Sequence, residues 1–383
     1  MPVLLSPEQL ARDLAVRDLS DPDAGPHAIQ ILLDRAVGAL ARRWGCPVRW
    51  RRGERIVPVA DNYDLLGYDP ADVTREARYS RYVAPGWMLR SHATALIPGA
   101  LRRLAAEPAD DVLLVCPAIS YRRDTIDRIH TGAPHQADLW RVSRRSPALT
   151  AADLAEMIEV LLGELLPGAP YRLIERVHPY TRGGLQVDVR RDGEWMEIGE
   201  CGLADPGVLR RAGLEASCSG LALGVGLDRL LMLRKEVPDI RLLRSADPRV
   251  TAQMHDLAPY TAVSTRPPVT RDLSVAVAAG DLAEDLGDRV REALSGVGEA
   301  GGEAVACVES VRIVTRTPCA ELPAQALTRL GARPDQDNLL VRVVLRGLDR
   351  TLTDREANVL RDRVYAAIHQ GSVRQWSTAG ADD

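Results

Sequence analysis

Two stretches of the chain repeat apolar residues at the spacing of an α-helix. From His27 to Trp44 the apolar positions recur every three or four residues, and Gly45 follows as a helix stop. Thr150 is a favourable N-cap for a second helix, which runs to about Leu166 before a Pro-Gly break. Both segments are therefore predicted to be helical.

Other stretches have the pattern of β-strands. Residues 110–120 form a short apolar run bounded by turn residues, which is typical of a buried strand. Residues 185–190 alternate by two and are followed by "GEWMEIGECG", which predicts a hairpin of an antiparallel sheet. The run "GLALGVGLDRLLML", residues 220–233, predicts a strand that passes into a helix.

The composition changes at residues 258–270, where proline, threonine and serine are frequent, and a domain boundary is predicted there. Beyond it strand and helix patterns alternate, and the last helix begins with a capping box of Thr353 and Glu356. This order is typical of a ferredoxin-like split βαβ module. The predicted organisation is a loose, acidic lead-in at 1–26, a main domain at 27–258, a linker at 259–270 and a C-terminal domain at 271–383.

Composition and charge exclude several kinds of protein. The net charge of −4 argues against a uniformly basic nucleic-acid-binding coat. No apolar run reaches the ~20 residues of a membrane span, and the N-terminus lacks the charged and apolar regions of a signal peptide. The six cysteines form no C-x-x-C pair, which favours reduced thiols in a cytoplasmic protein. Phenylalanine is absent from all 383 residues, and Lys235 is the one lysine.

The glycines and arginines indicate how a phosphate could be bound. A Walker loop requires a lysine directly after its glycines, and Lys235 lies in a different context. Leucine, alanine and valine between the glycines of residues 220–226 favour a strand over a Rossmann loop. Arg229 stands in an apolar run, where a buried guanidinium needs a partner and a triphosphate is a natural one. A second group of charged residues fills 120–140, on a loop predicted between core strands.

Taken together, these segments resemble class II aminoacyl-tRNA synthetases in the form used by phenylalanyl-tRNA synthetase. The stretch "YRRDTID" with "HTGAPHQ" is similar to motif 2 of that class, and "GLALGVGLDRLLML" with "VPDIRLL" is similar to motif 3. Four other segments resemble further parts of the family in the same order: "NYDLL", "WMLRSHATALIP", "EWMEIGECGLADPGVL" and, at the C-terminus, "RDLSVAV" with "DRTLTDREAN". The last pair resembles the ferredoxin-fold anticodon-binding domain, and the domain order is that of the single-chain organellar enzyme.

The resemblance implies an α+β fold, with a class II synthetase antiparallel sheet flanked by helices and a C-terminal ferredoxin-like α+β domain. It implies that Arg122 and Arg229 are the catalytic residues, which grip the α-phosphate and the far phosphates of ATP. Asp124 and His130 are further implied contacts of ATP. The implied magnesium-side carboxylates are Glu197 and Glu200. The implied contacts of the amino acid are His92, Thr94, Gln136, Asp138, His178, Tyr180 and Ala222.

Several positions depart from the family pattern. Where the family has Phe-Pro-Phe to hold the substrate ring edge-on, this chain has His178-Pro179-Tyr180, so the pocket is predicted to be aromatic and more polar. The other departures are Ile97 for a glutamine, Pro134 for the phenylalanine that stacks on adenine, Leu221 and Leu223 for phenylalanines of motif 3, and Asp138 and Asp228 for glutamates.

The implied activity is ATP-dependent activation of phenylalanine, or a related aromatic amino acid, as its adenylate and transfer to tRNA. The implied cofactors are ATP and Mg²⁺, and the expected protein is a monomer or homodimer that binds no membrane. The C-terminal domain is predicted to contact the anticodon through arginines such as Arg271, Arg342, Arg346 and Arg350. Two alternatives stay open: a resistance or biosynthetic paralogue that charges a phenylalanine analogue, and a tRNA-binding protein that has lost catalysis.

Overall fold

The structure is a computed structural model that describes residues 3–76, 79–263, 267–295, 307–347 and 350–374. The chain divides into two compact units. The first unit comprises Met1–Arg122, Ala133–Pro238 and Ala252–Tyr260, and the second comprises Arg123–Gly132, Asp239–Thr251 and Thr261–Asp383. Each unit has a β-sheet of its own, so each is built around a separate hydrophobic core.

The strands in chain order are β1 Val48–Trp50, β2 Ile56–Pro58, β3 Arg81–Ala84, β4 Trp87–Leu89, β5 Asp111–Ile119, β6 His135–Ser143, β7 Tyr171–Glu175, β8 Thr181–Arg191, β9 Glu194–Ala204, β10 Ser219–Gly226, β11 Val269–Ala278, β12 Val308–Pro318 and β13 Gln336–Leu345. The helices are α1 Pro7–Ala15, α2 Ala28–Trp44, α3 Val59–Asn62, α4 Ile97–Ala106, α5 Ala151–Leu165, α6 Pro206–Arg211, α7 Leu227–Lys235, α8 Pro248–Thr251, α9 Ala283–Ser295, α10 Ala324–Leu330 and α11 Asp354–Ile368.

The first unit is organised around a seven-stranded sheet of order β1-β5-β6-β10-β9-β8-β7. The pair β1–β5 is parallel, and all other neighbours in this sheet are antiparallel. A small sheet of order β2-β4-β3 accompanies it. This arrangement confirms the predicted α+β class, with a large and mainly antiparallel sheet flanked by helices.

Local sequence explains the central elements. All nine residues of β5 are buried, as its continuous apolar run predicts for a strand covered on both faces. Helix α2 buries the apolar face that its period predicts and ends at Gly45, whose φ of 60° is the left-handed conformation that glycine adopts at low cost. Helix α5 begins with a capping box of Thr150 and Asp153. The predicted helices and the predicted hairpin β8–β9 are therefore confirmed.

The expectation of a loose N-terminal lead-in is wrong. Ser6 caps helix α1 and forms a capping box with Gln9. Further along, the turn at Asp18–Ser20 is buried: the Asp18 carboxylate accepts hydrogen bonds from Ser20 N–H and from Ile119 N–H of β5. Acidic side chains and prolines indicated an exposed segment, but in this turn the carboxylate serves as an acceptor for buried backbone donors.

The second unit has a three-stranded antiparallel sheet of order β11-β13-β12. Apolar residues of α9 and α11 pack with these strands in one core. The order, with the third strand between the first and second, is that of a ferredoxin-like split βαβ unit, and a fourth strand is not among the residues that the structure describes. Helix α11 begins with the predicted capping box of Thr353 and Glu356. The short helix α10, between β12 and β13, was not predicted.

The arginines predicted to contact an anticodon are all engaged by acidic side chains within the second unit. Arg342 forms two hydrogen bonds with Asp272, and Arg350 lies 2.7 Å from Glu356. Arg271 contacts Asp354, and Arg346 contacts Glu309. Binding of RNA by these arginines would compete with the ion pairs.

No helix within the described ranges is both long and apolar enough to span a membrane.

Candidate active site

The candidate site lies on one face of the large sheet, over the strands β6, β10 and β9. Strand register places Asp138, Gly224 and Glu200 in one row across these strands. The next row consists of Trp140, Ala222 and Gly202. Because side chains of a strand alternate between faces, residues two apart on each strand share a face. The two rows therefore form the floor of a groove whose centre, over Gly224 and Ala222, carries almost no side-chain atoms.

A narrow pocket opens over this floor, with an empty volume of about 190 Å³ that includes the open solvent at its mouth. It is lined by Asp138, Trp140, His178, Tyr180, Thr181, Glu200, Cys201, Ala222 and Gly224. The structure thus brings together Asp138, His178, Tyr180 and Ala222, four of the predicted amino-acid contacts, and places Glu200 beside them.

Three further predicted residues lie at the same end of the groove as Asp138, namely His92, Thr94 and Gln136. Gln136 accepts hydrogen bonds at Oε1 from Ala93 N–H and from the Ser120 hydroxyl. Both ring nitrogens of His92 are buried, and neither meets a hydrogen-bond partner among the described residues. Burial, reinforced by the positive charge of Arg122, lowers the pKa of His92 to about 3, so its imidazole is neutral.

Asp138 is the most perturbed carboxyl group of the pocket. It is only 3 % exposed, and Trp140 Nε1 donates to its Oδ2 at 3.2 Å. Burial raises the pKa of Asp138 to about 7, although hydrogen bonds from Thr94 and Trp140 favour the ionised form. A bound ammonium group would favour ionisation further, and this is the chemistry that the resemblance implies for Asp138.

Aromatic rings close the other side of the pocket. His178 stacks on Tyr180 with 5.3 Å between ring centroids, and Tyr180 stacks on Trp140 at 6.4 Å. His178 Nε2 lies 2.8 Å from Glu200 Oε2, and Arg176 Nε lies 3.3 Å from Glu200 Oε1. Burial would raise the pKa of Glu200, but the hydrogen bond from His178 and the charges of His178 and Arg176 hold it below its usual range. The pocket is therefore lined by an ionised carboxylate.

Arg122 and Arg229 approach the groove from different elements, since Arg122 lies in the segment after β5 and Arg229 lies on helix α7. Arg122 Nε donates to the carbonyl of Ser91 at 2.9 Å, and Arg229 Nη1 donates to the carbonyl of Glu197 at 3.0 Å. The expectation of a buried Arg229 is wrong, because its side chain is 22 % exposed. Both arginines lower the pKa of Glu197, which burial and Glu200 raise more strongly. The two guanidinium groups thus act on the same carboxyl group.

Asp124 and His130 belong to the second unit. There the Asp124 carboxylate accepts a hydrogen bond from Thr125 N–H, and His130 Nδ1 lies 2.7 Å from Asp127 Oδ2. Their predicted contact with ATP stays a prediction. Among the described residues no group of three or more His, Cys, Asp or Glu side chains is arranged to hold a metal ion.

A buried pair joins motif 2 to motif 3. His135, the first residue of β6, donates its backbone N–H to Asp228 Oδ2, and its Nδ1 lies 2.9 Å from Asp228 Oδ1. On the other side of the ring, His135 Nε2 accepts the N–H of Leu19 from the N-terminal turn. Because Gln136 and Arg229 directly follow His135 and Asp228, this pair positions residues at both ends of the groove.

Sequence reasoning missed several residues of the pocket and its supports. Trp140 could have been found, because it lies two positions after Asp138 on a predicted strand and so shares its face. Gly224 follows Ala222 by the same rule. The contact between His135 and Leu19 had no signal in the sequence, since 116 positions separate the two residues.

Comparison with known proteins gives a consistent picture. Residues 48–254 match the family described as tRNA synthetases class II core domain (F). A phenylalanine–tRNA ligase alpha subunit of Nostoc punctiforme is 28 % identical over 242 residues, covering 63 % of this chain and 70 % of the relative. One of Acaryochloris marina is 30 % identical over 233 residues, covering 61 % and 68 %. "Probable phenylalanine--tRNA ligase, mitochondrial" of Drosophila melanogaster is 27 % identical over 408 positions, covering 89 % and 83 %.

Coverage differs between the two kinds of relative. The matches to the alpha subunits leave more than a third of this chain unmatched, whereas the match to the mitochondrial protein covers nearly all of it.

Proposed function

The chain belongs to the class II tRNA synthetase family, with the phenylalanine–tRNA ligases, and from this premise we propose that it is an ATP-dependent aminoacyl-tRNA ligase. It activates phenylalanine or a related aromatic amino acid as the adenylate and transfers the aminoacyl group to tRNA. The observation that carries the proposal is that Arg122, in the segment after β5, and Arg229, on helix α7, both lower the pKa of Glu197, and that Arg229 also donates to the carbonyl of Glu197, on the same strand β9 as the pocket residue Glu200.

In the first step a carboxylate oxygen of the amino acid attacks the α-phosphorus of ATP, and the bond to the bridging oxygen breaks so that pyrophosphate leaves. Arg122 and Arg229 neutralise the negative charge of the triphosphate, and a guanidinium suits this task because it can form two parallel hydrogen bonds. Gln136 and the ionised form of Asp138 hold the α-ammonium group. Catalysis of this kind is positioning combined with stabilisation of charge.

In the second step a hydroxyl of the terminal ribose of tRNA attacks the acyl carbonyl, and AMP leaves with the electron pair of the mixed-anhydride bond. No side-chain nucleophile is required, because the adenylate is already activated. The four predicted anticodon-binding arginines of the second unit remain part of this proposal.

Magnesium fits the carboxylate beside Arg229. Mg²⁺ is commonly bound by one or two carboxylates together with substrate phosphates and water. Burial and the neighbouring Glu200 raise the pKa of Glu197, which is the setting in which a divalent cation stabilises the ionised carboxylate. Glu197 would hold the ion, which would supply additional positive charge to the phosphate oxygens. Glu200 stays a predicted second ligand, and in this structure its carboxylate contacts His178 and Arg176.

The test is ATP–pyrophosphate exchange with the purified chain and a panel of aromatic amino acids, followed by charging of total tRNA. Exchange above background with at least one of them supports the proposal, and silence across the panel contradicts it. Tight binding of tRNA without any exchange would favour the non-catalytic alternative. The oligomeric state, monomer or homodimer, and the cytoplasmic location stay predictions.

A further inference from the structure

The two rows of the floor leave a gap flanked by carboxylates. Gly224 separates Asp138 on β6 from Glu200 on β9, and neighbouring strands lie ~4.8 Å apart. A side chain on Gly224 would start 3.0 Å from Asp138 Oδ1, so glycine keeps the gap open. An amino acid has one ammonium group, which Asp138 and Gln136 account for in the proposed function. The second carboxylate, Glu200, is therefore available to a different polar group of the substrate.

The remaining walls of the pocket fit a planar ring. The rings of His178, Tyr180 and Trp140 lie in succession, each within 28° of parallel to the next. The stacked rings and the small floor residue Ala222 line the same pocket, which is called the slot below. Aromatic side chains pack well in such slots. The chemical class of the substrate side chain is thus aromatic.

The polar groups at the edge of the slot retain capacity for hydrogen bonds. A carboxylate offers about four acceptor positions, and His178 and Arg176 occupy two of those on Glu200. Thr181 Oγ1 also lines the pocket, and it is buried with no hydrogen-bond partner among the described residues. An unsubstituted phenyl ring would leave Thr181 Oγ1 without a partner and the remaining acceptor positions of Glu200 unused, and an unpaired buried hydroxyl costs free energy.

We propose that Glu200, supported by His178 and assisted by Thr181, selects an aromatic amino acid whose ring carries a hydrogen-bond donor, a hydroxyl or an amino group. The inference rests on the proposed function and narrows its substrate from phenylalanine and its relatives to the donor-bearing relatives. Glu200 is then a specificity-determining residue: it accepts the hydrogen bond of the ring substituent, and the ring stacks along Tyr180.

The experiment compares phenylalanine with its meta-hydroxy, para-hydroxy and para-amino derivatives. For each amino acid kcat/KM of ATP–pyrophosphate exchange is measured on the unaltered chain, on Glu200→Ala and Glu200→Gln, and on the control Glu194→Ala. Glu194 is an exposed carboxylate at the start of the same strand β9. Binding of each amino acid alone is measured by calorimetry, which does not require turnover.

The unaltered chain is expected to prefer at least one donor-bearing derivative by about 10²-fold over phenylalanine, because sites built around a hydrogen bond reject analogues that lack it. Glu200→Ala should reduce this preference to roughly threefold or less, Glu200→Gln should retain part of it, and Glu194→Ala should leave it unchanged.

An equal loss for all four amino acids in Glu200→Ala would overturn the inference, because it would assign Glu200 to the common ammonium group. A preference of the unaltered chain for phenylalanine would overturn it as well, and would leave the proposed function standing. If no amino acid supports exchange, the proposed function fails, and selective calorimetric binding of the donor-bearing derivatives would still support the role of Glu200.

Discussion

The two ends of the groove differ in how they are built. At the end proposed to bind the triphosphate, which we call the phosphate end, Arg122 and Arg229 are partly exposed side chains that donate hydrogen bonds to backbone carbonyls. At the amino-acid end, Asp138, Trp140 and Ala222 are buried and fixed by strand register. Binding a triphosphate requires positive charge within reach, whereas recognising a side chain requires a closed shape with satisfied hydrogen bonds. We therefore expect the reaction class to depend on a few arginines, and the choice of substrate to depend on packing.

The largest effect is expected from removing either arginine, and it should be confined to the phosphate end of the groove. Arg229→Ala and Arg122→Ala are each expected to lower kcat of exchange about 10³-fold, since the guanidinium stabilises charge in the transition state. Lysine at either position should restore little of the loss. Calorimetric affinity for the amino acid should stay close to that of the unaltered chain. The control is Arg103→Ala, an exposed arginine on α4. A similar loss in the control would refute the assignment.

Breaking the pair between His135 and Asp228 should damage both ends, because it joins the strand of motif 2 to the helix of motif 3. Asp228→Ala removes the acceptor of two buried donors and should lower the free energy of unfolding by about 3 kcal/mol. Urea denaturation measures this change, and Glu215→Ala, an exposed carboxylate, serves as the control. A loss below that of an ordinary surface substitution would show that the pair is dispensable.

A larger side chain on the floor of the pocket should impair use of the amino acid without affecting ATP. Ala222 is 2 % exposed, and Ala222→Val adds two methyl groups next to Trp140. Overpacking of this kind costs about 2 kcal/mol, roughly thirtyfold in kcat/KM for the amino acid. The KM for ATP should change little, and Ala222→Gly should retain most activity. If KM for ATP rises together with the loss in kcat/KM for the amino acid, the two ends of the groove are coupled, which contradicts the proposed difference between them.

The smallest expected effect is a difference in pH dependence between KM for the amino acid and KM for ATP. Because burial raises the pKa of Asp138 to about 7, its carboxyl group is protonated at lower pH and gains charge as the pH rises through 7. The ionised form binds the α-ammonium, so KM for the amino acid should fall about tenfold between one unit below and one unit above that pKa. KM for ATP should vary less. Asp138→Asn should abolish the dependence, and an unchanged profile would exclude Asp138.

The same group predicts the sign of a stability change. Its pKa in the folded chain lies above the value of an unfolded aspartate, so the folded state binds more protons between pH 4 and 7. Without substrate, stability should therefore decrease as the pH rises through that window, and His178 and Glu200, which also face the pocket, act on Asp138 in opposite directions. The slope should be smaller in Asp138→Asn, as thermal melting at several pH values would measure.

Much of the fold follows from local sequence, but the site follows from it only in part. Periodicity and caps predicted α2, α5, the hairpin β8–β9 and the passage from β10 into α7, because these depend on residues close together in the chain. Arg122 and Arg229 were found through motifs of fixed spacing. The docking of the N-terminal turn could not be found this way, because it depends on Leu19 and Asp18 meeting β5 and β6 from distant parts of the chain.

The arrangement of the pocket residues is even harder to predict from local sequence. Glu200 was predicted from its motif as a magnesium-side carboxylate, which stays a prediction, and strand register places it in one row with Asp138, across Gly224. Its contacts with His178 and Arg176 arise where β9 passes the start of β8, which no spacing within β9 encodes. The pairing of strands decides which side chains share a row across the sheet. Pairing depends on contacts between distant segments, so the sequence of one segment alone does not reveal it.

The single lysine of the chain has a practical consequence. Lys235 ends helix α7 fully buried, with its Nζ 2.9 Å from Asp256 Oδ1 and hydrogen-bonded to the carbonyl of Ala258. All other basic side chains apart from histidine are arginines. Amine-directed acylating reagents should therefore find no accessible lysine side chain on the folded protein, and labelling of Lys235 would report local opening of the C-terminal end of α7. Mass spectrometry after a brief exposure to such a reagent would follow the stability of the motif 3 helix without any substitution in the chain.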